Sequence, residues 1–249
     1  MKRLLPAAAA GLLAAVLLLP AQGEAPQGLD EVAPIGDILI EVEDKVEQLE
    51  KLLESPEKYE DQKDDKVRQA FGVLAVMGQA VAEHPENGEA SFSGPALREA
   101  ALGFERGAAY EDAQAALAAV KEAHAGGGNT EAPVEHEWNK LINMHPMMEE
   151  INGRNARLLS VFRRPRGKPE EPVHASTIAL LALAMDADTH EVKDENDIPA
   201  WHEMSAEYRE LMIQVAAKVR EKDGKGARKL FDAANETCDR CHEVFRDNE

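Results

Sequence analysis

The chain has 249 residues, a net charge of −19 and only 4% aromatic residues, with 28 Lys and Arg set against 47 Asp and Glu. So acidic a chain excludes nucleic-acid binding and attraction to an anionic membrane surface, and favours brief docking with basic proteins at low salt. Ala, Leu, Glu and Lys dominate the segments between breakers, a composition that favours helices.

Lys2 and Arg3 precede an almost wholly Ala, Leu and Val run from Leu4 to Leu19, and Ala21-Gln22-Gly23 offers small residues for cleavage. This is the pattern of a secretory signal over residues 1–23. The apolar stretch of about 16 residues carries Pro6 and is shorter than the roughly 20 residues a spanning helix needs. We therefore expect a cleaved leader, a periplasmic or otherwise exported location, and no stable membrane insertion after cleavage. Cleavage removes two positive charges, takes the net charge to −21 and leaves 226 residues, enough for one large or two small domains.

Eight helices are predicted. The first runs from Ile35 to Leu53, where Ile35, Ile38, Leu39, Val42, Val46, Leu49, Leu52 and Leu53 keep three-four spacing; Ser55-Pro56 ends it. The second covers Asp64 to Ala82, before the loop His84-Pro85-Glu86-Asn87-Gly88. The third starts near Gly94-Pro95 and stops around Gly107, and the fourth spans Tyr110 to His124. Gly126-Gly127-Gly128, with Asn129 to Pro133 after it, is the best linker candidate. The fifth helix is expected from Glu135 to Phe162, with Pro146 either kinking it or marking the first turn of a second segment. After the basic loop Arg163 to Pro172 come a sixth helix, Val173 to Ala187, and a seventh, Trp201 to Arg220. The eighth, Gly226 to Phe245, carries both cysteines.

The two halves share a pattern. Each reads helix, polar loop, helix, longer loop, then two helices. Asp112 to Leu117 aligns with Lys225 to Leu230, and on that register His124 meets Cys238. This predicts a duplication: a first copy over residues 30–128 without cysteines and a second over 134–249 with them.

Cys238-Asp239-Arg240-Cys241-His242 is a C-x-x-C-H run, the attachment pattern of c-type haem. Two thiols three positions apart on a helix reach the two vinyl groups on one edge of a porphyrin, and the adjacent imidazole can then coordinate iron. Other readings of the pair lack support. A thioredoxin-type couple has no βαβ pattern around it, and a zinc site has no second pair. One covalent haem c, held by Cys238 and Cys241 with His242 as proximal ligand, is the expectation.

The sixth iron position decides the function. A Met thioether there suits electron transfer, whereas an apolar residue leaves iron open to small gases. Met144-His145-Pro146-Met147-Met148 packs three methionines into five residues, and Met144 and Met148 are the leading candidates. Met147 and a bis-histidine arrangement through His145 stay open, as does core filling by the methionines. Arg246 is a candidate contact to a haem propionate or the ring edge, or else a helix C-terminal cation. Tyr208, Trp201 and Trp138 fit either the ring or the core, and His174, His190 and His202 fit surface or cap roles.

These features give a resemblance. With C-x-x-C-H at 238–242, Phe245-Arg246 after it, and placement on the last helix, the second half resembles class II c-type cytochromes, the cytochrome c′ group. The resemblance implies an antiparallel four-helix bundle over roughly residues 135–249, and more loosely a second over 33–125. It points to Met144 on the distal face, because Met144, Met148 and Ile151 fit the family's spacing. It also implies possible homodimers. Pro146, the loop Arg163-Arg164-Pro165-Arg166 and the haem-less half depart from the usual single-domain pattern.

The leading expectation is an exported, non-enzymatic carrier of single electrons between redox partners. A five-coordinate gas-binding haem protein is one alternative. A partner-docking module with a tethered haem is another.

Overall fold

The computed structural model describes residues 28–129 and 131–246; the expected leader lies outside them. Every regular element among these residues is helical, so the chain is all-α as expected. None of the described helices is long and apolar enough to cross a membrane.

A short α1 (Leu29–Val32) leads into α2 (Ile35–Leu52), followed by α3 (Pro56–Gln62), a π-helical segment (Lys63–Val67), α4 (Arg68–Glu83), α5 (Gly94–Leu102) and α6 (Tyr110–His124). The second half holds α7 (Met144–Arg163), α8 (Glu170–Ala187), α9 (Ile198–Arg220) and α10 (Gly224–Phe245). Short 3₁₀ turns lie at Asn87–Glu89, Trp138–Lys140 and Glu195–Asp197.

Local chemistry explains most boundaries. Ser55, read as a helix end, also starts α3: its hydroxyl accepts from the Lys58 amide at 3.4 Å, with Pro56 in the first turn. Ser93 caps α5 through the Ala96 amide at 3.3 Å, and Asp223 caps α10 through the Gly226 amide at 2.8 Å. The fifth predicted helix is shorter than expected. Residues 135–143 are turn and 3₁₀ structure, and α7 begins at Met144. Pro146 falls in its first turn, where amides have no intrahelical acceptor in any case, so the proline opens the helix instead of kinking it.

Helices α2, α4, α5 and α6 pack on one another, and α7 to α10 pack in chain order with α10 returning against α7. The halves meet where α2 lies on α8 and α4 on α7 and α8. Their buried apolar side chains form one continuous core. Helix α8 sits at its centre, with every residue from Ala175 to Met185 buried, as a helix surrounded by others requires.

Two contacts fix the first half. A Cβ on Gly78 would sit 2.6 Å from the Arg98 amide nitrogen, so α4 and α5 touch backbone to backbone. Gly78→Ala is expected to cost about 1–3 kcal/mol, measured by denaturant unfolding; an unchanged midpoint would show that the helices separate freely. Arg98, fully buried, donates to the carbonyls of Pro133 at 2.8 Å and Val134 at 3.2 Å and to Gln79. It thereby fastens the segment after the glycine run to α4 and α5.

Candidate cofactor site

Helix α10 has one apolar stripe, with Ala227, Phe231, Ala234, Thr237 and Phe245 buried. Cys238 and Cys241 lie at the edge of that stripe, half-buried and as free thiols. Spacings of three and four residues place Cys238, Cys241 and His242 on neighbouring positions of one face. That face borders a cavity of about 620 Å³ between α7, α9 and α10, within the roughly 300–1,000 Å³ of small-molecule and cofactor sites.

The three walls differ. The α10 wall presents Cys238, Cys241, His242 and Phe245. The α7 wall presents Met144, Met148, Ile151, Asn152 and Asn155, spaced at three, four and seven residues so that they share one helical face. The α9 wall presents Trp201, Met204, Ser205 and Tyr208, and Met185 of α8 also contributes. Trp201 and Phe245 meet edge to face at 5.1 Å. The indole N–H donates to the Met185 carbonyl at 3.0 Å, which fixes the ring. His242 and Arg246 are exposed where they line the cavity.

The sequence candidates sort by position. Met144 is 9% exposed and Met148 is partly buried; both line the cavity. Met147 is fully buried in the core away from it. His145 also lines the cavity, with its ring 3.5 Å from Glu149. Trp138 packs in the core and its indole N–H reaches Glu83 at 3.3 Å. His190 and His202 pair with Asp188 and Asp186 at 2.6 and 2.8 Å, while His174 of α8 lies beside Arg154, outside the cavity.

The electrostatics suit a neutral, thiol-bearing wall. Burial pushes the Cys238 thiol up to about 11, against the lowering effect of the Tyr208 hydroxyl; burial also raises Cys241. Tyr208 is raised well above its ordinary range, first by burial and then by Cys238. Its hydroxyl lies beside Cys238 and Asn155 without a well-formed hydrogen bond to either, and Asn155 Oδ1 is likewise buried and unsatisfied. A buried polar atom left unpaired costs about 1–3 kcal/mol. Two such atoms deep in one cavity fit a site built to enclose something. The cavity's size, its mainly apolar and aromatic walls and its paired thiols fit a flat hydrophobic group joined to the protein at two points.

Asn155, Met185, Met204 and Ser205 escaped the sequence reading. Asn155 was within reach, because it continues the Met144–Met148–Ile151 face by one more turn. The three residues from α8 and α9 converge only through tertiary packing.

No protein-family model matches the chain, and no curated protein sequence or solved structure matches it.

Proposed function

We propose that this chain is an exported mono-haem c-type cytochrome that carries single electrons. In this reading α7 to α10 act as an antiparallel four-helix bundle of the class II kind, and α2, α4, α5 and α6 as a haem-less counterpart. The observation that carries it is the cavity whose α10 wall holds Cys238, Cys241 and His242 and whose α7 wall holds Met144 and Met148.

The haem, when bound, supplies the iron that changes oxidation state by one electron. The protein's own residues do the rest. Cys238 and Cys241 supply the two thiols for thioether bonds. His242 would offer an imidazole nitrogen to the iron, and Met144 or Met148 a thioether. A Met ligand raises the reduction potential relative to a second His. Trp201, Phe245 and Ile151, buried where they line the cavity, would exclude water from the group, and Arg246 at the exposed border suits a propionate. The overall charge of −19 favours a redox partner with a basic docking face.

The test is to purify the chain from a host that attaches haem c, record the intact mass, and take oxidised, reduced and CO-treated optical spectra. One haem resistant to acid extraction, with low-spin iron and a methionine–iron band unmoved by CO, is expected. An unmodified mass would overturn the reading. High-spin iron that binds CO at once would replace electron transfer by gas binding.

A further inference from the structure

Four charged side chains are buried where the halves meet: Glu41 and Lys45 on α2, Glu150 and Arg154 on α7, each no more than 6% exposed. Lys45 donates to Glu150 Oε1 at 2.8 Å, and Arg154 pairs with Glu41 and, at 2.8 Å, with Glu150. The Thr177 hydroxyl of α8 donates to the other oxygen of Glu41 at 3.2 Å. Each helix contributes a Glu followed four residues later by a cation. Because Glu41 meets Arg154 while Lys45 meets Glu150, the two segments run antiparallel and the quartet has local two-fold symmetry. Helix α2 is itself fixed, since Asp37 accepts from Ser176 of α8 at 2.5 Å and pairs with Arg220 of α9.

We infer that the haem-less half is a register clamp for α7: Glu41 and Lys45 are positioning residues that set the aim of Met144 and Met148 into the cavity. The geometry gives the reason. At about 100° per residue, Glu150 and Arg154 lie roughly a third of a turn from the Met144–Met148–Ile151–Asn155 face, so turning α7 about its axis moves both sets together. Sliding α7 by one turn would bring Lys45 opposite Arg154, a like-charge contact among buried groups that is strongly disfavoured. Met144 and Met148 are separated by that same turn, so the clamp decides which methionine stands at a given height. Buried ion pairs add little stability over apolar residues of the same volume, and fixing register is their best-attested use. The link to iron ligation rests on the proposed function, whereas the clamp itself does not.

The experiment uses the full chain in four forms: wild type, Glu41→Lys with Lys45→Glu, Glu150→Lys with Arg154→Glu, and all four substitutions together. Methionine oxidation by peroxide, read by mass spectrometry in haem-free protein, reports the register of α7. Wild type should protect Met147 and oxidise Met148. Each two-residue reversal should raise Met147 oxidation by about tenfold or more, and the fourfold variant should restore protection. In haem-loaded protein the reversals should keep the covalent haem but shift or abolish the methionine–iron band, with recovery in the fourfold variant. If a reversal does not fold, Lys45→Met removes one charge and leaves Arg154 on Glu150; it should change the footprint in the same direction. A wild-type footprint in any folded reversal or in Lys45→Met overturns the clamp. A chain that acquires no haem sinks the proposed function, while the footprint still decides the clamp.

Discussion

On the proposed function, replacing Cys238 and Cys241 together by Ser is expected to yield a folded chain with no covalently held haem, an all-or-none loss read from the intact mass after acid denaturation. Neither thiol makes a disulfide, and both stand at the cavity edge instead of the centre of the core. The substitution is nearly isosteric, so the fold should survive it. Each single Ser variant should retain one thioether and keep the haem. His242→Ala should keep both thioethers, since the thiols remain, but lose the proximal nitrogen and with it the low-spin spectrum. That separation of attachment from ligation is the sharpest consequence of the site. Haem retained after acid denaturation in the double Ser variant would sink the assignment of the thiols. A His242→Ala spectrum identical to wild type would move the proximal ligand elsewhere.

What the sequence revealed followed the range of the forces involved. The C-x-x-C-H run is local, so its geometry on a helix is legible from spacing alone. Met144 and Met148 were legible as one face of a helix, whereas Met147 stayed open in the sequence and is set apart only by its full burial in the core. Pro146 carried two readings, and only the position of the α7 start separates them. The helix α3 was missed because Ser55-Pro56 serves as an end and a start within two residues. The quartet was not legible at all. Glu41 with Lys45, and Glu150 with Arg154, look in sequence like solvated i,i+4 pairs on exposed helix faces, and nothing short of the tertiary arrangement reveals that the two pairs bury each other. Arg98 is similar: a lone arginine in an Ala-rich helix whose two carbonyl acceptors, Pro133 and Val134, lie more than thirty residues away.

The largest expected stability effect comes from Arg154→Met, and its pH dependence separates electrostatics from packing. Removing one partner from a buried charge cluster costs about 3–5 kcal/mol. Here it leaves Glu41 with Thr177 and a Lys45 ammonium 4.0 Å away. Glu150, held at about 2 because Arg154 and Lys45 outweigh its burial, keeps only Lys45 at hydrogen-bond distance. His174 on α8 reports the same field. It is pushed down to about 4, first by burial and then by Arg154 and Arg157. The groups around it are Glu41, Asp44 and Lys45 from α2, Glu150, Arg154 and Arg157 from α7, and Glu170 one turn earlier on its own helix. In the unfolded chain its pKa is about 6.5. The folded value lies below the unfolded one, so unfolding takes up a proton between the two. Stability is therefore complete above about pH 6.5 and falls as the pH drops towards 4, by about 2–3 kcal/mol near pH 4.5. In Arg154→Met the imidazolium loses a repelling cation and faces two less-compensated carboxylates, so its pKa rises. The variant should be less stable at neutral pH, and its deficit should narrow on acidification to about pH 4.5. Urea unfolding followed by circular dichroism across that range measures both curves. His174→Asn in the wild-type background should flatten the acid slope without the neutral-pH loss. Parallel pH profiles for wild type and Arg154→Met would show that the guanidinium acts on its surroundings by packing alone.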